Sequence, residues 1–246
     1  MEQHRRRSED SGSSSTLNFS SFKPTHLALA NRGLVSPFRH GNLILHGTKY
    51  QGDVNSKSYR SQRYQMLDEE NCSLWITGIP PSITYTDMFS VITTGAVFAL
   101  YLIPPNEDHP LQGAKLVFMN PEAAAAFMAS DITLNGKPIW KRYNRNGTPR
   151  NTNTYSRVLM IEGPAQIMRL QYWMSYFQQY CLFSLETVLA FPGPILGTVK
   201  MEFRFARVDG QAQCCLQAIL ADPSLKGVVK VYYGKDPCDP SFNGNC

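Results

Sequence analysis

The chain has 246 residues, 43% hydrophobic and 17% charged, with a formal net charge of +5 and a pI near 8.9. That is enough apolar material for one or two packed cores, and the basicity is too mild to name a partner by itself. The longest apolar runs, such as 97–104, fall far short of a membrane span, and the start, Met1-Glu2-Gln3-His4-Arg5-Arg6-Arg7, leads into Ser and Asp, unlike a secretory signal.

Residues 1–70 read as a disordered basic and Ser-rich tail. Positions 8–21 are mostly Ser, Gly, Asn and acid, too polar to offset the entropy of ordering. Asn42-Leu43-Ile44-Leu45 is a candidate docked strand. Lys57-Ser58-Tyr59-Arg60-Ser61-Gln62-Arg63-Tyr64 interleaves basic and aromatic residues, which can touch phosphates and stack on bases; a solvated lead-in is the bland alternative.

From residue 72 the pattern tightens. In Ser73-Leu74-Trp75-Ile76-Thr77-Gly78-Ile79, period-two alternation predicts a strand with Leu74 and Ile76 inward and Trp75 and Thr77 on an open face. Thr84 with Asp87 three residues on predicts a capped helix that Gly95 ends. Residues 97–103 read as a strand with Phe98, Leu100 and Leu102 on one side and Ala99 and Tyr101 on the other. Residues 113–118 form another, with Ala114, Leu116 and Phe118 buried and Gly113, Lys115 and Val117 opposite. Asn120-Pro121-Glu122 starts a second helix, Leu134-Asn135-Gly136-Lys137 makes a tight turn, and residues 139–143 form a last strand, with Trp140 outward. The order is strand, helix, strand, strand, helix, strand.

Residues 146–155 read as a polar linker. The same element order then recurs over 156–236, with Leu159 and Ile161 inward, Met160 and Glu162 outward, and Lys200, Glu202 and Arg204 alternating with apolar residues. Residues 237–246 read as a C-terminal tail. The fold class is therefore α+β: two ferredoxin-like βαββαβ units behind the N-terminal tail.

At these residues the chain resembles the RNA recognition motif (RRM) family. Leu74-Trp75-Ile76-Thr77-Gly78-Ile79 is similar to its first-strand hexamer, and Leu111-Gln112-Gly113-Ala114-Lys115-Leu116-Val117-Phe118 to its third-strand octamer. Asn120-Pro121-Glu122-Ala123-Ala124 and Leu134-Asn135-Gly136-Lys137 resemble its second helix start and the turn before its fourth strand. The resemblance covers 72–145 well and 156–236 more weakly. It implies a four-stranded sheet, backed by two helices, that stacks bases on aromatics of the two central strands. The departures are specific. Trp75 holds the hexamer aromatic position, but Gly113 and Lys115 stand where the octamer has two more. In the second unit the matching positions are Met160, Lys200 and Glu202, so that copy is degenerate.

The candidate RNA-binding residues are Trp75, Thr77, Tyr101, Lys115, Trp140, Arg142 and Arg145. The rings offer stacking, with Tyr101 and Trp140 supplying it from edge strands; Lys115 meets phosphate. Lys137, Lys141, Arg142, Arg145, Arg150 and Arg157 form a basic stretch with no acid among them, suited to a phosphate backbone, or else simply solvated. Trp173 reads as core. Six cysteines lack zinc spacing and read as reduced thiols, which suits an intracellular protein, nuclear or cytoplasmic. There is no Gly-rich phosphate loop, His-Glu-x-x-His or Gly-x-Ser-x-Gly, so neither catalysis nor a cofactor, metal or small-molecule substrate is expected. Two functions stay open: binding single-stranded RNA mainly through the first unit, or a protein-interaction adaptor using degenerate RRM-like units.

Overall fold

The computed structural model describes residues 22–35 and 62–241. The candidate strand at Asn42 and most of the Lys57–Tyr64 stretch lie outside them.

A short helix α1 (His26–Asn31) precedes the first unit; the Thr25 hydroxyl accepts from the Ala28 N–H as its cap. It docks on the second unit: Thr25 donates to the Tyr180 carbonyl, and Phe22 packs on the Tyr180 ring. Its six residues thus take order from a tertiary contact that composition does not reveal.

The first unit runs β2 (Ser73–Ile79), α2 (Tyr85–Ser90), β3 (Val97–Ile103), β4 (Gln112–Phe118), α3 (Pro121–Ala129), a small hairpin β5 (Thr133–Leu134) and β6 (Lys137–Pro138), then β7 (Trp140–Tyr143). A minor strand β1 (Arg63–Tyr64) precedes it and pairs with β8 (Asn146–Gly147). The local signals act as chemistry dictates. Thr84 and Asp87 form a reciprocal capping box on α2. Asn120 caps α3 with Pro121 behind it. Asn135 and Gly136 both have positive φ, the turn that fits the twist of a hairpin. The Gln112 amide donates to the carbonyls of Pro80, Pro81 and Ile83 and so fixes the Pro-Pro corner.

The four-stranded sheet has the order β3-β4-β2-β7, antiparallel throughout, with both helices on one face. Leu74, Ile76, Leu116, Phe118, Phe127 and Met88 form that buried layer. One phase differs from the alternation. A bulge between Val97 and Ala99 puts Val97 in the core, and Phe98 packs instead against Ala99, Val117 and Cys72.

The second unit repeats the arrangement: β9 (Val158–Pro164), α4 (Leu170–Gln178), β10 (Leu185–Pro192), β11 (Thr198–Phe205), α5 (Gln213–Ala221) and β12 (Lys230–Tyr233), in the order β10-β11-β9-β12. Trp173, Phe177, Phe203 and Phe205 pack at its centre, so Trp173 is core.

The polar stretch 146–155 is fastened to the first unit. Asn71 is buried; its carboxamide donates to the Asn144 carbonyl and accepts from the Thr148 N–H. Asn151 donates to Met119, and Arg150 pairs with Glu122.

The units also pack on each other. Asp236 accepts from Arg157 Nε at 3.0 and 2.9 Å and from the Val97 N–H of the first unit at 2.8 Å. Arg157 also donates to Glu186 and to the Phe205 carbonyl. Its side chain is wholly buried, a position that costs several kcal/mol per ion unless, as here, the charge is fully partnered. Cys238, in the C-terminal tail by sequence, is buried with Ala206 against the first unit's core. Leu100 donates to the Ala206 carbonyl, and Ala99 bridges Arg207, so the second unit caps the outer edge at β3.

Candidate nucleic-acid interface

The open face of the first sheet gathers six of the seven predicted residues into two adjacent rows, read from strand register. The first row is Tyr101 on β3, Lys115 on β4, Trp75 on β2 and Arg142 on β7. The second sets Ile103 opposite Gly113 and, across the β2 bulge, Thr77 opposite Trp140. The rows add Thr77 and Trp140 to the four of the first, so six lie on the sheet; Arg145 lies just past β7, exposed, its carbonyl taking the Gln65 N–H. Neither row contains a carboxylate.

Two glycines seat the two indoles. A Cβ on Gly113 would lie 3.5 Å from Trp75 Cζ2, so the Trp75 ring leans across β4 into the space an octamer aromatic would fill. A Cβ on Gly78, whose φ is +81°, would lie 3.2 Å from Trp140 Cδ1. Trp140 rests on that backbone and is still 74% exposed. Trp75 is half-buried, which fits a ring laid flat along a sheet rather than inserted in a core.

Lys115 stands between the Tyr101 and Trp75 strand positions, half-buried and, among the described residues, with no carboxylate in ion-pair range. Burial among these neighbours pushes its ammonium down to about 8. Tyr101 is half-buried, and the Arg207 guanidinium from the second unit lies 4.8 Å from its ring centroid. Sequence spacing carries no signal for that contact, because its two residues sit in different units.

The basic stretch divides. Arg142 is exposed on the open side, and Arg145 is exposed just past the end of β7. Lys141 points to the helix side, where its Nζ donates to the carbonyls of Phe127 and Ser130. Arg150 is paired with Glu122 and Arg157 is buried in the clasp, so these three do not form one track with Arg142. A run free of acid in sequence is not free of acid in space.

The second unit's sheet offers a different surface. Met160 faces outward but is buried, because the chain at Gly234 crosses it at close range. Glu202 is held by Arg204 Nε at 2.5 Å and is also buried. Tyr232, an outward ring on edge strand β12, donates to Glu162 and carries Lys230 over its face. Among the described residues no group of His, Cys, Asp and Glu is placed to hold a metal ion, and no helix is long and apolar enough to cross a membrane.

No family model and no curated protein matches the chain. Among solved structures it is similar to the three N-terminal RNA binding domains of the yeast splicing factor Prp24, at 16% identity and a TM-score of 0.27 over 68% of each chain. It is similar also to Sex-lethal RNA recognition domains 1 and 2 from Drosophila melanogaster, at 14% and 0.24 over 67% of this chain and 100% of that one. A third likeness is to the RNA binding domain of Hrp1 in complex with RNA, at 14% and 0.26 over 69% and 99%. Such values set no residue correspondence; strand order and register do that here. Each unit places its first and third strands at the centre, its fourth and second at the edges, and both helices on one face. Both units have the RRM-like fold.

Proposed function

We propose that the protein binds single-stranded RNA without catalysis, mainly through the open sheet face of its first RRM-like unit. The row Tyr101–Lys115–Trp75–Arg142 carries this reading: rings alternate with cations in a row that contains no carboxylate. Trp75 and the exposed Trp140 offer stacking surfaces, each worth about 1–3 kcal/mol per base. Arg142 and Arg145 offer phosphate contacts beyond the edge. No side chain in the rows is a nucleophile paired with a base.

The test is fluorescence anisotropy with short random single-stranded RNAs across roughly 50 to 200 mM salt, where phosphate contacts make affinity fall steeply. Trp75→Ala is expected to weaken binding, and Lys200→Ala on the second sheet to leave it unchanged. Flat, salt-independent binding or none would remove the reading.

A second reading, a protein-interaction adaptor, has its own support in the second unit. That face is of mixed sign, and the β10–β11 hairpin exposes Ile195 and Leu196 at its tip. Such a surface suits a protein contact better than a polyanion. Under it, Lys200→Ala and Leu196→Ser disturb complex formation and leave RNA affinity alone.

A further inference from the structure

Arg207 belongs to the second unit by sequence and by fold, following directly on β11. Its backbone, however, bridges Ala99 on the outer edge of the first sheet in antiparallel register. Directly opposed residues of an antiparallel pair point to the same face. Ala99 is in phase with Tyr101, on the open side, and so is Arg207. The guanidinium accordingly lies over the Tyr101 ring, 4.8 Å from its centroid. The face therefore reads Arg207, Tyr101, Lys115, Trp75, Arg142 from edge to edge: cation, ring, cation, ring, cation. Arg207 is only half-buried, and among the described residues no carboxylate lies within ion-pair distance of it.

We infer that Arg207 is an RNA-contacting residue of the first unit's site, so that this site is composite and complete only with the second unit docked. The inference rests on the RNA-binding reading above. A guanidinium stacked on a ring keeps its edge N–H groups free to meet a phosphate in the sheet plane. The clasp holds it there: Arg157, Asp236 and Val97 fix the second unit against the edge that Arg207 extends. The second unit's own sheet need not touch RNA for that unit to matter.

The test uses the full chain and the same labelled random single-stranded RNAs. Arg207→Ala is expected to weaken binding about five- to tenfold and to reduce the salt slope by about 0.7, the contribution of one phosphate contact on a single strand. Arg207→Lys keeps a charge but not the planar stack, and is expected to restore most of the slope and only part of the affinity. The substitutions leave the main-chain bridge to Ala99 intact, so the fold is expected to survive; Arg207→Gln, which keeps length and a planar end, repeats the test if Arg207→Ala melts early. Unchanged affinity and slope in Arg207→Ala and Arg207→Gln, with binding lost in Trp75→Ala, would overturn the composite site and leave the RNA reading standing. Absence of salt-dependent binding by the unaltered chain would remove that reading itself.

Discussion

The guanidinium of Arg157 lies 3.7 Å from the ring centroid of Phe89, although Arg157 opens the second unit and Phe89 sits on a helix of the first. With Asp236, Glu186 and Phe205 it completes a largely buried contact in which every charge is met. A tandem pair joined this way is expected to behave as one body rather than as two beads on a string, and the fastening of 146–155 by Asn71 acts in the same direction.

Arg157→Ala strands the Asp236 carboxylate, and breaking a buried pair by removing one partner costs about 3–5 kcal/mol. The three tryptophans give a direct readout: Trp75 and Trp140 report on the first unit and Trp173 on the second. The unaltered chain is expected to unfold in urea in a single transition by fluorescence and circular dichroism. Arg157→Ala is expected to unfold at lower urea and in two steps. Two steps in the unaltered chain would show the clasp to be weak.

How much of this was legible in the sequence follows from the range of each interaction. Thr84 with Asp87, Asn120 with Pro121, and Asn135-Gly136 act within three residues, and the structure uses each as its chemistry suggests. Period two placed Trp75, Thr77, Lys115 and Tyr101 on one face. It failed at Phe98, because a bulge adds a residue without leaving a mark in hydrophobicity. It said nothing about which cations remain available. Arg142 and Arg157 look alike in the chain, yet one is exposed and the other is buried against Asp236, 79 positions away. The Arg207–Tyr101 contact was hidden for the same reason: long-range pairing depends on how two finished units meet.

Trp75 fills the place of an octamer aromatic by leaning over Gly113. Trp75→Ala is expected to lower RNA affinity by roughly 1–3 kcal/mol with little effect on folding, since the ring lies on the sheet rather than in the core. Gly113→Phe alone is expected to weaken binding, because the new ring displaces the indole. Together with Trp75→Ala it has room to lie where the indole lay, and is expected to recover part of the loss. Anisotropy titrations of the four proteins form a double-mutant cycle that measures this coupling; additive losses would show that the two positions do not share a base.

Arg142 and Arg145 are the exposed cations beside β7. Neutralising both is expected to weaken every RNA sequence alike and to flatten the salt slope by up to about 1.4, twice the single-strand value per phosphate. Arg150→Gln, which breaks only the exposed pair with Glu122, is the control and is expected to leave the slope unchanged. Equal slopes for the double variant and the parent would return both arginines to solvent.

Lys115 gives RNA binding a pH dependence whose sign can be worked out. Burial pushes its native pKa down from 10.5 to about 8. Below that value the free protein carries the charge; above it the ammonium is lost. A phosphate favours the charged form, so bound RNA raises the pKa, and binding above about 8 must take up a proton. Affinity is therefore expected to be level up to pH 7 and to fall as pH rises through 8, by at most tenfold per unit. Folding has the opposite trend. Between about 8 and 10.5 the unfolded chain holds the proton that the native one has released, so Lys115 makes stability rise with pH across that window. Few other single groups predict falling affinity together with rising stability. Lys115→Arg, charged at every accessible pH, is expected to flatten the affinity profile between pH 7 and 9 while keeping the salt slope. Anisotropy titrations at constant ionic strength and urea melts on the same samples supply both curves, and an affinity profile that bends identically in the parent and Lys115→Arg would assign the titration to another group.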